Sequence, residues 1–239
     1  MKILLLQFTR RKDKQEENKR NFRNAFLNFG LEPEIIARPS VDDAPDKDEF
    51  KKYDRVIFSG SEFSFEGKNE PPEVRQTARD IAKRFEDFTV ALRESTTPSL
   101  AICFGHQLWG YIFGEKVAQE DTRGKAGTFL VKQSDEGKLS PIFKGLSQEF
   151  DASYMHQDAI CQKPAVAKIL ATGEQCNCAT LDYGNNSFTT QFHPEFTKEV
   201  LEHKKEQYPN YFKNQLNPQK EFKETTDAQK ILRNFIVEF

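Results

Sequence analysis

Apolar and polar positions recur along this chain with two periods, and those periods predict its elements. Residues 2–8 form an almost unbroken apolar run, as a strand buried on both faces of a parallel sheet does. Residues 13–29 are highly charged, yet Phe22, Ala25, Phe26 and Phe29 share one helical face, and Gly30 follows where a helix stops. Strands are expected over 33–38 and 55–59, joined by an acidic, solvated connection over 42–52. Val74, Ala78, Ile81, Phe85, Phe88 and Leu92 recur at helical spacing and predict a long amphipathic helix. Pro98 resets the chain for a short strand over 100–102, and a helix follows from Phe104 with Leu108, Tyr111 and Ile112 on one face. Short strand-like pieces then fall at 117–118, 128–132, 150–154, 166–171 and 179–183, with Gly137, Gly145, Gly173 and Gly184 as turns. Residues 198–206 pattern as a helix, whereas 207–223 is polar and without period, a surface excursion or a partner-facing segment. Thr226 and Gln229 fit a capping box ahead of a last helix that buries Ile231, Leu232, Phe235 and Ile236. The alternation predicts one α/β domain over 1–239. Its sheet is doubly wound and mostly parallel, flanked by helices, with an added small β subregion covering one side. Sites in such sheets form at the carboxyl ends of the strands.

One such end carries Cys103, at the junction of the 100–102 strand and the following helix. A sharp turn there needs small residues two positions before and after, and Ala101 and Gly105 supply them. The helix directs free N–H groups and its positive dipole end at the sulfur, which favours the reactive thiolate. Taken alone, Cys103 is as well explained as a buried small apolar residue. A second stretch changes that balance. Near residue 190 a β-rich run ends in His193-Pro194-Glu195; in an extended segment residues two apart share a face, so the carboxylate can orient the imidazole. Among His106, His156 and His193 as base, His193 is preferred for this partner, although His156 and Asp158 have the same spacing. A cysteine and a base oriented by a third group are the general signature of covalent catalysis.

The stretch Ala101-Ile102-Cys103-Phe104-Gly105-His106-Gln107, with Gln191-Phe192-His193-Pro194-Glu195, resembles the motifs of the class I glutamine amidotransferase family. Phe58-Ser59-Gly60-Ser61 is similar to that family's oxyanion strand, and Tyr154-Met155-His156-Gln157-Asp158 to its substrate-binding loop. Residues 226–235 look like its closing helix. The resemblance spans about residues 55–239 and implies Cys103 as nucleophile, His193 as base and Glu195 as its orienting carboxylate. It further implies backbone N–H donors at Gly60 and Phe104 for the oxyanion, and substrate contacts from Gln107, Ser59, His156 and Asp158. Ala101 and Met155 stand where the family has Gly and Ser. The implied activity is cleavage of the γ-amide of glutamine or a γ-glutamyl compound through a γ-glutamyl thioester, without metal or cofactor. The chain would act either for a synthetase partner or as a self-sufficient γ-glutamyl hydrolase. A non-catalytic relative that binds a metabolite or partner is the remaining alternative. His106 and Trp109 have no place in the pattern and are expected to be structural.

Charge alters this picture little. With 35 basic and 37 acidic residues among 239, the net charge of −2 points to neither nucleic acid nor an anionic membrane as partner. No apolar run reaches the ~18 residues of a membrane span, and the N-terminal run is too short for a signal peptide, so a cytoplasmic location is expected. Cys161, Cys176 and Cys178 are too closely spaced for a usual zinc site, and no disulfide is expected of them.

Overall fold

The computed structural model describes residues 1–239 except 68–69, 120–124, 175 and 215–220. In chain order the first half gives β1 (Lys2–Phe8), α1 (Lys12–Leu27), β2 (Glu34–Pro39), β3 (Arg55–Ser61), α2 (Pro72–Glu94), β4 (Ser99–Ile102) and α3 (Phe104–Ile112). The second half gives β5 (Val117–Ala118), β6 (Lys125–Gln133), α4 (Asp135–Leu139), β7 (Glu149–His156), β8 (Ala159–Ile160), β9 (Lys168–Gly173), β10 (Cys176–Asp182) and β11 (Ser187–Thr190). Helices α5 (Lys198–Gln207), α6 (Pro209–Lys213) and α7 (Thr226–Val237) close the chain.

Nine strands share one sheet in the order β2-β1-β3-β4-β11-β10-β9-β6-β7. Every pairing from β2 to β11 is parallel, and every pairing from β11 onward is antiparallel. The expected β subregion therefore extends the central sheet edge to edge instead of covering its side; β5 and β8 form a separate two-stranded ladder. The apolar runs work as two-sided strands. Ile3 and Leu5 of β1 join the core beneath α1 and α7, while Leu4, Leu6 and Phe8 join the core beneath α2 and α3. The carboxyl ends of β1, β3, β4 and β11 thus open on one rim, where Thr9, Ser59, Cys103 and His193 meet.

Several local expectations change once neighbours are in place. Gly137 lies inside α4, where a Cβ would come within 2.0 Å of the Leu170 carbonyl oxygen; close packing, not a turn, requires glycine. The 42–52 connection is not wholly solvated, because Phe50 tucks against Phe88 at 5.8 Å. The capping box does not form: Thr225 holds the N-cap position, its hydroxyl donates to the Phe196 carbonyl (3.1 Å), and Gln229 Oε1 accepts from Asn28. In the 207–223 segment, Phe212 and Phe222 are buried against each other in one cluster with Ala126, Phe196 and Leu201, so these two residues pack onto the body; residues 215–220 lie outside the described part. No helix among the described residues is long and apolar enough to cross a membrane.

Gly105 sets how closely α3 approaches β3. A Cβ there would sit 2.8 Å from both the Phe58 Cβ and the Phe58 carbonyl oxygen, and backbone cannot yield without opening the sheet. Gly105→Ala is therefore expected to cost about 1–3 kcal/mol, read as a lower urea midpoint at unchanged slope.

Candidate active site

The turn from β4 into α3 places Cys103 with φ 52° and ψ −101°, a left-handed conformation that a side chain other than glycine rarely adopts. The strain is held by neighbours on both sides. The Cys103 N–H donates to the Thr190 carbonyl at 2.8 Å, and its own carbonyl accepts the Gln107 N–H at 3.0 Å. Cys103 is 4% exposed, and its Sγ lies 3.7 Å from the Met155 carbonyl oxygen at the end of β7.

His193 follows β11, and the parallel pairing of β11 with β4 carries it to the cysteine. The approach is measured at Gly60, at the end of β3. A Cβ there would stand 2.9 Å from His193 Cε1, 3.7 Å from His193 Nε2 and 3.6 Å from Cys103 Cβ. Glycine leaves the space in which imidazole and thiol meet. His193 Nδ1 contacts Glu195 Oε1 at 2.7 Å, so Nδ1 carries the donated proton and Nε2 faces the sulfur side. The two residues are not alternating strand positions, as their spacing suggested. β11 has ended, Pro194 sits second in a turn closed by the Phe196 N–H on the His193 carbonyl (3.2 Å), and the side chains meet across it. Phe196 then stacks on the imidazole at 4.1 Å, 4° from parallel, and locks its plane. Burial alone would lower the imidazole pKa, but the Glu195 carboxylate and the Cys103 sulfur outweigh it and raise the value to about 10. The pairing thus favours the protonated imidazole.

The expected substrate residues divide by what their polar atoms already do. Both protons of Gln107 Nε2 have acceptors, the Asp158 carbonyl (2.7 Å) and Gln191 Oε1 (3.3 Å), which leaves Oε1 as the acceptor for the cavity. Ser59 Oγ donates to the Gly60 carbonyl (2.9 Å) and accepts the Phe8 N–H (3.4 Å), tying β1 to β3. Asp158 is buried and works as a clamp. Its Oδ2 accepts Ser64 Oγ (2.6 Å) and the N–H groups of Phe65 (2.7 Å) and Glu66 (2.9 Å). That clamp and the Phe65 ring, stacked on Phe104 (5.6 Å) and Tyr111 (4.6 Å), fasten the 62–67 loop beside the thiol. His156 Nδ1 lies 3.0 Å from the Asp158 carbonyl; burial first, then neighbouring cations, push its pKa to about 3 and keep it neutral. His106 is fully buried and pairs with Thr189 Oγ1 at 2.7 Å, and burial likewise lowers it to about 3. Trp109 is fully buried against Phe58 and Tyr183.

A cavity of about 360 Å³ opens over Cys103, His193, Gln107 and the Gly60 strand. Its far wall comes from places the motifs do not mark: Lys14 and Glu17 of α1, Lys204 of α5, Tyr208, and Tyr211 of α6. Phe196, too, carries no motif signal apart from its position next to Glu195. Desolvation opposes ionisation of Glu17, but hydrogen bonds from Lys14 and Lys204 hold its carboxyl below the usual range. Among the described residues, no cluster of three or more His, Cys, Asp or Glu has the makings of a metal site.

The chain matches the family described as glutamine amidotransferase class-I over residues 12–214. It is 30% identical over 149 residues to a glutamine-hydrolyzing GMP synthase subunit of Saccharolobus solfataricus, covering 62% of this chain and 70% of that one. It is 29% identical over 160 residues to gamma-glutamyl peptidase 3 of Arabidopsis thaliana, covering 66% of this chain but only 60% of the relative's length. The solved structure of a glutamine amidotransferase from Thermotoga maritima has the same fold, with a TM-score of 0.73 at 15% identity, over 100% of this chain and 97% of that one. A strained cysteine at the end of β4, a carboxylate-bound histidine after β11 and a family match across most of the length lead to one conclusion: the chain belongs to the class I glutamine amidotransferase family.

Proposed function

We propose that this protein hydrolyses the γ-amide of glutamine or of a γ-glutamyl compound, with Cys103 as nucleophile, His193 as acid and base, and Glu195 as the carboxylate that orients the imidazole. The observation that carries this is the convergence of Cys103 Cβ and the His193 ring at Gly60, within 3.7 Å of one point. With His193 protonated, the sulfur attacks the amide carbonyl as a thiolate, and the oxyanion gathers the N–H donors of Gly60 and Phe104. Gln107 Oε1 accepts from the ammonium of the glutamyl group. Collapse of the tetrahedral adduct breaks the C–N bond; His193 gives its proton to the nitrogen, and ammonia or an amine leaves. Water then yields a proton to the neutral imidazole and attacks the thioester, which releases glutamate and restores the thiolate–imidazolium pair.

Rapid acid quenching during turnover of glutamine should trap one γ-glutamyl group, and peptide mass mapping should find it on Cys103. An adduct on another residue, or full turnover by a chain with Cys103 alkylated, would overturn the assignment. The match to a GMP synthase subunit favours a second reading, delivery of ammonia to a synthetase partner. Glutamine turnover that is negligible for the isolated chain and rises when a second protein is added would select it.

A further inference from the structure

Ammonia needs little room to leave, and the cavity offers much more. Its volume of about 360 Å³ falls in the ~300–1,000 Å³ range of sites that enclose drug-sized ligands. The part that the thioester chemistry does not use is walled by α1, α5 and Tyr208. There Glu17 accepts from Lys14 at 2.8 Å and from Lys204 at 2.6 Å, and all three side chains are at most 16% exposed. Two ammonium groups share one carboxylate, so the cluster keeps an uncompensated positive charge in a mostly water-excluded wall. Its other contacts are neutral: Lys14 Nζ donates to Gln207 Oε1 (3.0 Å) and lies 5.1 Å from the Tyr208 ring centroid. Arg11, also on the cavity, is occupied by Asp13 at 2.6 Å. The cavity is also lined by the acidic residues Glu62, which accepts from Thr9 Oγ1 (2.9 Å), and Glu70.

The position of this charge relative to the chemistry gives it meaning. Lys204 Nζ lies 5.8 Å from the Phe196 ring centroid, and Phe196 stacks on the His193 imidazole. The cation and the imidazole proposed to protonate the departing nitrogen therefore share the Phe196 ring as a common neighbour. An extended residue spans about 3.3–3.6 Å, so one or two residues attached to that nitrogen bring a terminal carboxylate to the wall.

We propose that the Lys14–Glu17–Lys204 wall is a leaving-group subsite for the carboxylate of an amino acid or short peptide, which makes γ-glutamyl peptides the preferred substrates over glutamine. The proposal rests on the thioester reading of Cys103. It is tested by kcat/KM for γ-glutamyl-alanine, for its C-terminal amide and for glutamine. The wild-type chain should favour the free carboxylate over the amide by roughly tenfold or more, as expected for a charge-assisted contact. Lys204→Met should bring that ratio near one through a higher KM for the acid, and Lys204→Arg should retain it. Lys14→Met gives an independent measurement should Lys204→Met fail to fold. Equal cleavage of acid and amide by the wild type, a wild-type ratio in Lys204→Met, or turnover of glutamine without turnover of the peptide would each overturn the subsite. Undiminished cleavage of these substrates by Cys103→Ser would instead overturn the thioester reading beneath it.

Discussion

Cys103→Ala should lower kcat for glutamine or γ-glutamyl amides by at least about 10⁴-fold, with the fold intact. The size follows from the nucleophilic role proposed for the sulfur. Without it there is no thioester, and the remaining groups can only polarise the carbonyl and position water, which leaves a small part of the acceleration. A loss of that order is ~5 kcal/mol of transition-state stabilisation. The fold should be retained, because alanine keeps the Cβ and both backbone hydrogen bonds of the turn, to Thr190 and from Gln107. Removal of the sulfur also takes away one of the two charges that hold the proton on His193, so its pKa should drop below the wild-type value of about 10. Steady-state rates together with a histidine NMR titration measure both effects. A variant that retains a tenth of wild-type kcat would refute the nucleophile.

Glu195→Gln should reduce kcat/KM by about 10³-fold. Its shape is close to that of glutamate, but the amide can donate to His193 Nδ1, which moves the ring proton to Nε2 and blocks acceptance from the thiol side. The wild-type carboxylate is fully buried; Oε1 meets His193 at 2.7 Å and Oε2 has no hydrogen-bond partner. Its charge is therefore spent on the imidazolium. Burial lowers the histidine pKa and the carboxylate is the foremost cause that raises it, so in the variant the value should fall well below about 10. The alkaline limb of any activity that needs the imidazolium should move to lower pH with it. Stability carries the same signature. A histidine whose folded pKa is raised from 6.5 to about 10 adds stability that is full below pH 6.5 and is lost as pH rises towards 10. Melting temperatures at pH 6 and pH 9 should thus differ more for the wild type than for Glu195→Gln. An unchanged titration of His193 in the variant would refute the orienting role.

The elements are largely legible in consecutive residues, because each follows from local rules. Unbroken apolar runs set β1 and β4, apolar positions at helical spacing set α1 and α2, and Ala101 and Gly105 around Cys103 mark a turn that only small neighbours allow. Other features depend on partners far away in sequence. The β subregion merges with the main sheet because β10 pairs with β11; no local pattern records which edge a strand joins. Asp158 has the spacing of a catalytic partner for His156, yet its carboxylate faces three donors from residues 64–66. Gly137 has the look of a turn until Leu170 packs against it.

By itself, then, the sequence determined the alternation of strands and helices and, through family resemblance, named Cys103, His193 and Glu195 as candidates, since periodicity and short motifs lie in consecutive residues. Only the tertiary structure decided what surrounds them: the turn that joins His193 to Glu195, the Phe196 ring that holds the imidazole, and the wall where Lys14 and Lys204 close on Glu17. Those contacts arise when distant segments share one buried rim, and the free energy of a contact belongs to the pair and its burial rather than to either residue alone.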